Sequence, residues 1–146
     1  MKTLLALPAA ALVAPACWLT AASPAAADPG AGAASSSYAP PFIDHTEWTQ
    51  WAGLASLRVY PTPSGRAAAR QPAAPAAADE AWAEVLALAP GADTPGMRAQ
   101  FLCHWEFAET AEPGKPSWNL EPWRPVVDDD QMVAAGCNPG APEGAF

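Results

Sequence analysis

The residue pattern predicts an α+β fold: a small single domain with an N-terminal β-hairpin, two to three short helices and one disulfide-closed, loop-rich segment. Three observations point there. Between Phe42 and Tyr60, β-branched and aromatic residues gather on either side of Ala52-Gly53. From Ala76 to Phe107, apolar residues recur at helical spacing instead. From Cys103 to Cys137, tryptophans and prolines alternate too irregularly for one long helix, and a bond between the two cysteines would hold that stretch in shape.

The chain has 146 residues, which suits one domain. It opens as a secretory signal: Lys2 supplies positive charge, Thr3 to Leu19 is almost entirely apolar, and Ala25-Ala26-Ala27 precedes Asp28 as a cleavage site. The apolar run is about 17 residues long, marginal for a membrane helix, and Pro8 and Pro15 interrupt it. Residues 1–27 are therefore expected to be a signal peptide cleaved after Ala27, leaving a secreted protein with no transmembrane anchor. A lipoprotein signal acylated at Cys17 is the weaker alternative, because Pro15 and Ala14 depart from the usual lipobox. Cleavage removes Cys17 and leaves Cys103 and Cys137 in an oxidising compartment, where a disulfide is the default. Closing that loop stabilises by about 3–4 kcal/mol in the chain-entropy model.

Residues 28–41 are Ala, Gly, Ser and Pro with one tyrosine, too little apolar surface to order, and are expected to form a flexible leader. Order should begin near Phe42. The hairpin is expected with strands near residues 43–51 and 55–60, ended by Pro61 and Pro63. Ser64 to Arg70 has helical composition without a large apolar residue and reads as a short helix or an exposed loop. In residues 76–89, Trp82, Val85, Leu86 and Ala89 form a helical stripe, with Asp79 and Glu80 in the first turn and Pro90-Gly91 as the stop. Thr94-Pro95 is expected to cap a helix running to about Phe107. Residues 112–125 should be irregular, and a short helix is expected from about Asp129 to Ala135, stopped by Gly136. The tail, residues 141–146, should be loose.

After loss of Lys2 and Trp18 with the leader, 15 acids face 6 basic residues, a net charge of about −9, and six tryptophans remain. That balance argues against nucleic-acid or anionic-membrane partners. Each tryptophan buries ~150–250 Å², so four or five of them are expected in the core of an otherwise alanine-rich chain. Trp118 and Trp123, flanked by turns, have a second reading as a surface platform for a sugar or peptide.

Four stretches carry a resemblance: Ile43-Asp44-His45-Thr46-Glu47-Trp48, Ser56-Leu57-Arg58-Val59-Tyr60-Pro61-Thr62-Pro63, Gln100-Phe101-Leu102-Cys103-His104-Trp105, and Trp118-Asn119-Leu120-Glu121-Pro122-Trp123-Arg124-Pro125. Together they resemble the DUF2599 family of secreted, largely actinobacterial proteins, over about residues 42–140. The resemblance implies an exported, cysteine-containing domain and brings no catalytic residue with it.

Chemistry has few candidates. The two histidines share a local frame, His45-Thr46-Glu47 and His104-Trp105-Glu106, with Asp44 before the first. On a strand His45 and Glu47 share a face, whereas on a helix His104 and Glu106 diverge by about 200°. A hydrolase would use His45 or His104 as general base, with Asp44, Glu47 or Glu106 as orienter or acid. A metal version would need both histidines and one carboxylate. The motifs of metalloproteases, nucleophile elbows and paired C-x-x-C sites are missing, and Asp128-Asp129-Asp130 lacks the ligand spacing of a calcium loop, so no metal and no cofactor is expected. In a binding role, Trp118, Glu121, Trp123 and Arg124 would present the ligand-contacting groups, although Arg124 is better read as pairing with a carboxylate to hold its own loop. The leading expectation is a non-catalytic binding or interaction protein of the cell envelope or extracellular space, with a glycan, peptide or protein as ligand. The alternatives are a small secreted hydrolase and a structural envelope protein.

Overall fold

The computed structural model describes residues 38–71 and 75–142. The expected signal peptide (1–27, with Cys17) lies outside the described residues, as do most of the leader and of the tail.

Strands β1 (Ile43–Trp51) and β2 (Leu54–Pro61) form the antiparallel hairpin, with Trp48 opposite Leu57 and His45 opposite Tyr60. Ala52 and Gly53 turn it with φ of 50° and 80°, the two-residue geometry whose twist matches that of paired strands. A third strand, β3 (Trp118–Leu120), pairs antiparallel with β2 and gives the order β1-β2-β3. This strand departs from the expected irregular segment. Prolines at 116 and 122 confine it to three residues, and local composition does not announce so short a strand.

Helix α1 (Pro63–Ala69) settles the choice left open for that segment: the Thr62 hydroxyl accepts from the Gly65 amide at 2.9 Å, and a proline opens the first turn. Gly65 packs directly on the start of the hairpin, where an added Cβ would overlap the carbonyl oxygen of Phe42. Gly65→Ala should therefore cost about 1–3 kcal/mol by overpacking, read as a lower urea midpoint. An unchanged midpoint would mean that α1 can retreat freely from Phe42.

Helix α2 (Pro75–Leu88) buries Ala78, Ala81, Trp82 and Val85. It begins at Pro75, so Asp79 and Glu80 fall in the second turn, not the first. Glu84 accepts from the amides of both Phe42 and Ile43 at 2.7 Å, which pins the entry of β1 to this helix. A 3-10 turn at Pro90–Ala92 leads to α3 (Met97–Ala111). The expected Thr94 cap does not form. Gly96 takes a left-handed φ of 84° at the N-cap, and the Thr94 hydroxyl is buried without a partner. The helix also outruns its expected end at Phe107, because the first residue that forbids it is Pro113. Glu109 in that last stretch is held by Arg66 and Arg70. Helix α4 (Asp129–Ala134) is capped by Asp128, whose carboxylate accepts from the Gln131 amide at 2.8 Å.

The core gathers around Phe101, whose ring lies 5.4 Å from Trp82, 6.1 Å from Trp105 and 6.0 Å from Trp118. Leu57, Val59 and Leu120 close it from the sheet side. Trp82, Trp105 and Trp118 are buried and Trp123 is half-buried. Trp48 is 44% exposed, since β1 is an edge strand that α2 secures at its opposite, Ile43 end. A smaller cluster of Cys103, Cys137 and Met132 joins α3 to α4, and the Cys103–Cys137 disulfide has an S–S distance of 2.08 Å.

Candidate functional site

The free edge of β3 explains the most buried polar residues. An edge strand turns a row of backbone groups outward, and burying them unpaired is costly. Helix α3 pairs them with side chains one turn apart. The Glu121 amide donates to Gln100 Oε1 at 2.9 Å, and Gln100 Nε2 donates to the Glu121 carbonyl at 3.0 Å. His104 Nε2 lies 3.2 Å from the Asn119 carbonyl. A carbonyl only accepts, so Nε2 is the protonated nitrogen. Gln100 is 1% exposed and His104 4%; the pair acts as a surrogate strand.

The loop after β3 carries an ion pair that is also buried. Arg124 Nε donates to Glu121 Oε2 at 2.5 Å, with both residues 3% exposed. The Ser56 hydroxyl donates to the other carboxylate oxygen at 3.0 Å, which ties the loop to β2. Arg124 Nη1 donates to the carbonyls of Pro139 and Ala141 at 3.1 and 2.6 Å, which ties it to the C-terminal segment. The guanidinium sits 4.6 Å over the Trp123 ring, and Trp123 Nε1 donates to the Ala55 carbonyl at 3.1 Å. Of the four residues considered for ligand contact, Trp118, Glu121 and Arg124 are thus enclosed, and Trp123 is partly exposed.

The histidines are not brought together. His45 stands exposed on β1, its Nδ1 2.6 Å from the Asp44 carboxylate and its ring stacked 4.0 Å from that of Tyr60. The Tyr60 hydroxyl donates to Glu47 at 3.3 Å. His104 lies beyond β3, so two strand spacings, about 10 Å of sheet, separate them. Glu106 is exposed on α3. Among the described residues no cluster of three histidine, cysteine, aspartate or glutamate side chains could hold a metal ion.

A cleft of about 340 Å³ opens where α3 meets the end of α4. Phe107, Ala111 and Val133 give it an apolar wall, and the disulfide lines it as well. Lys115 and Glu112, with charges 3.9 Å apart, add a polar side. Asn138 also lines it: its Nδ2 donates to the Gly136 carbonyl at 2.8 Å, and its Oδ1 is buried without a partner. Sequence reasoning missed Ser56, Gln100, Phe107, Val133 and Asn138. For Gln100 the signal was present, since it precedes His104 by four positions and so shares its helix face. For the cleft residues no local signal exists, because two separate segments, residues 103–115 and 133–138, meet there.

Comparison with known proteins adds family membership. A family model described as a protein of unknown function (DUF2599) matches residues 43–140. The uncharacterized proteins Rv0477 of Mycobacterium tuberculosis and Mb0487 of Mycobacterium bovis are each 60% identical over 149 residues, covering 100% of both chains. The uncharacterized protein ML2452 of Mycobacterium leprae is 57% identical over 107 residues, 73% of this chain and 86% of its own. No solved structure matches the chain significantly. With two thirds of its length under that model and relatives aligned from end to end, the chain belongs to the DUF2599 family.

Proposed function

We propose that the protein is exported, is cleaved after Ala27, and works outside the cytoplasm as a non-catalytic binding or interaction protein. Export is supported by the basic, apolar and small-residue order of residues 1–27 and by a disulfide, a bond that persists in oxidising compartments. Among the described residues no helix is long and apolar enough to cross a membrane. The observation that carries the binding reading is the contrast between the buried polar residues and the cleft. His104, Glu121 and Arg124 are engaged in holding the chain together, whereas the cleft beside the disulfide presents an apolar wall of Phe107, Ala111 and Val133 with Lys115 and Glu112 on its polar side. Its volume falls within the ~300–1,000 Å³ of small-molecule sites.

A panel of cell-wall glycans, envelope peptides and envelope proteins, scored by melting temperature, tests this reading. A ligand at a hundred times its Kd adds about 2.7 kcal/mol, roughly 10 °C or more for a domain of this size. Silence across the panel would overturn it.

One observation favours a small hydrolase as the second reading. Asp44 orients the exposed His45 imidazole at 2.6 Å, with Tyr60 and Glu47 alongside, the arrangement of a base and its orienter. Hydrolysis of a generic ester, glycoside or peptide substrate that vanishes in His45→Gln would replace the binding reading.

A further inference from the structure

We propose that the outer edge of β1 pairs with the same edge of a second copy of this chain, antiparallel and centred on Trp48. Among the described residues β1 is paired with β2 alone, so it ends the sheet. The two-residue turn at Ala52-Gly53 makes Trp51 and Leu54 a hydrogen-bonded pair. Counting back in twos, Thr49, Glu47 and His45 also direct their backbone groups to β2. Thr46, Trp48 and Gln50 turn their N–H and C=O groups outward instead. A row of this kind is a template for another strand.

The edge is complementary to itself in one register. Glu84 already holds the amides of Phe42 and Ile43, and the hairpin register shifts between Ile43 and His45. An incoming strand must stop short of Ile43, which excludes a two-fold centred on Thr46, because Gln50 would then face Phe42. Centring on Glu47 sets two carboxylates directly opposite each other, a destabilising pair. Centring on Thr49 or Gln50 leaves Thr46 facing the partner's turn or the chain beyond it. With the two-fold at Trp48, every outward group is used: Trp48 meets its own copy, and Thr46 meets Gln50 on both sides. Glu47 then lies opposite Thr49, so no carboxylate directly faces another. The indole of Trp48, 44% exposed in the single chain, packs on its counterpart as a cross-strand aromatic pair. The contact is a closed, isologous one that joins two three-stranded sheets into a continuous sheet. A seam of one strand on one strand is small beside the ~1,200–2,000 Å² of a stable interface, so the dimer should dissociate on dilution.

Sedimentation equilibrium of the processed, oxidised chain (residues 28–146, which hold every described element) tests this. The expected result is a dimer at high concentration that reverts to monomer on dilution. Thr46→Pro should abolish the dimer yet keep the wild-type circular dichroism, because the lost N–H faces away from β2 and proline is tolerated on an edge. Trp48→Lys should do the same by opposing two ammonium groups. A covalent readout fixes the register. Cα atoms of a hydrogen-bonded pair lie about 5.5 Å apart, a span that a disulfide bridges. Trp48→Cys should therefore cross-link two copies under mild oxidation, and Gln50→Cys, whose counterpart is Thr46, should not. A monomer at every concentration, a dimer that survives Thr46→Pro, or equal cross-linking at 48 and 50 would overturn the assignment.

Discussion

Replacing Arg124 with methionine will lower the free energy of unfolding by about 3–5 kcal/mol, the usual loss when one partner of a buried ion pair is removed. The Glu121 carboxylate would stay 3% exposed with the Ser56 hydroxyl as its remaining side-chain partner. The carbonyls of Pro139 and Ala141 would lose their donor at the same time, so the C-terminal segment should loosen as the core weakens. Against a total of ~5–15 kcal/mol for a domain, the change is large. Urea unfolding of Arg124→Met, Glu121→Gln and the double variant separates the contributions. The double variant should recover part of the loss, since a neutral amide in that site leaves no isolated charge. A single-variant loss below about 1 kcal/mol would put the pair in the range of exposed salt bridges, and the loop would then need another anchor.

Removing the disulfide by Cys103→Ala with Cys137→Ala will lower stability by about 3–4 kcal/mol through the released loop, and the effect will be uneven. The bond spans 34 positions and joins α3 to the end of α4. Met132 is the one buried residue of that six-residue helix, and it packs with the two cysteines. Hydrogen exchange in Asp129–Ala134 should become fast in the double variant while the β1–β2 hairpin stays protected, the pattern of a local opening. Equal protection of α4 in the oxidised and cysteine-free proteins would show that Met132 docks it unaided.

Each element that could be read from the sequence is one whose determinants are neighbours in the chain. The hairpin follows from β-formers around Ala52-Gly53, α2 from apolar residues at a spacing of three and four, and the end of α4 from Gly136. Errors arose where a local signal met a competing one. Thr94-Pro95 resembles a helix start, but Gly96 in the left-handed region cannot continue a helix, so α3 waits until Met97. Asp79 and Glu80 miss the first turn because Pro75, a residue suited to a helix's opening position, starts α2 one residue before Ala76.

The sequence by itself determined the α+β class, the hairpin and the longer helices, because turn chemistry and apolar period are local facts. Only the tertiary structure decided that Trp118–Leu120 is a strand, that Trp118 lies in the core, that Glu121 and Arg124 face each other out of water, and that a cleft opens at Asn138. Those outcomes depend on β2, Gln100 and His104 arriving from elsewhere in the chain to meet a segment that has no period of its own. Burial and pairing are properties of the encounter, and no window of neighbouring residues contains them.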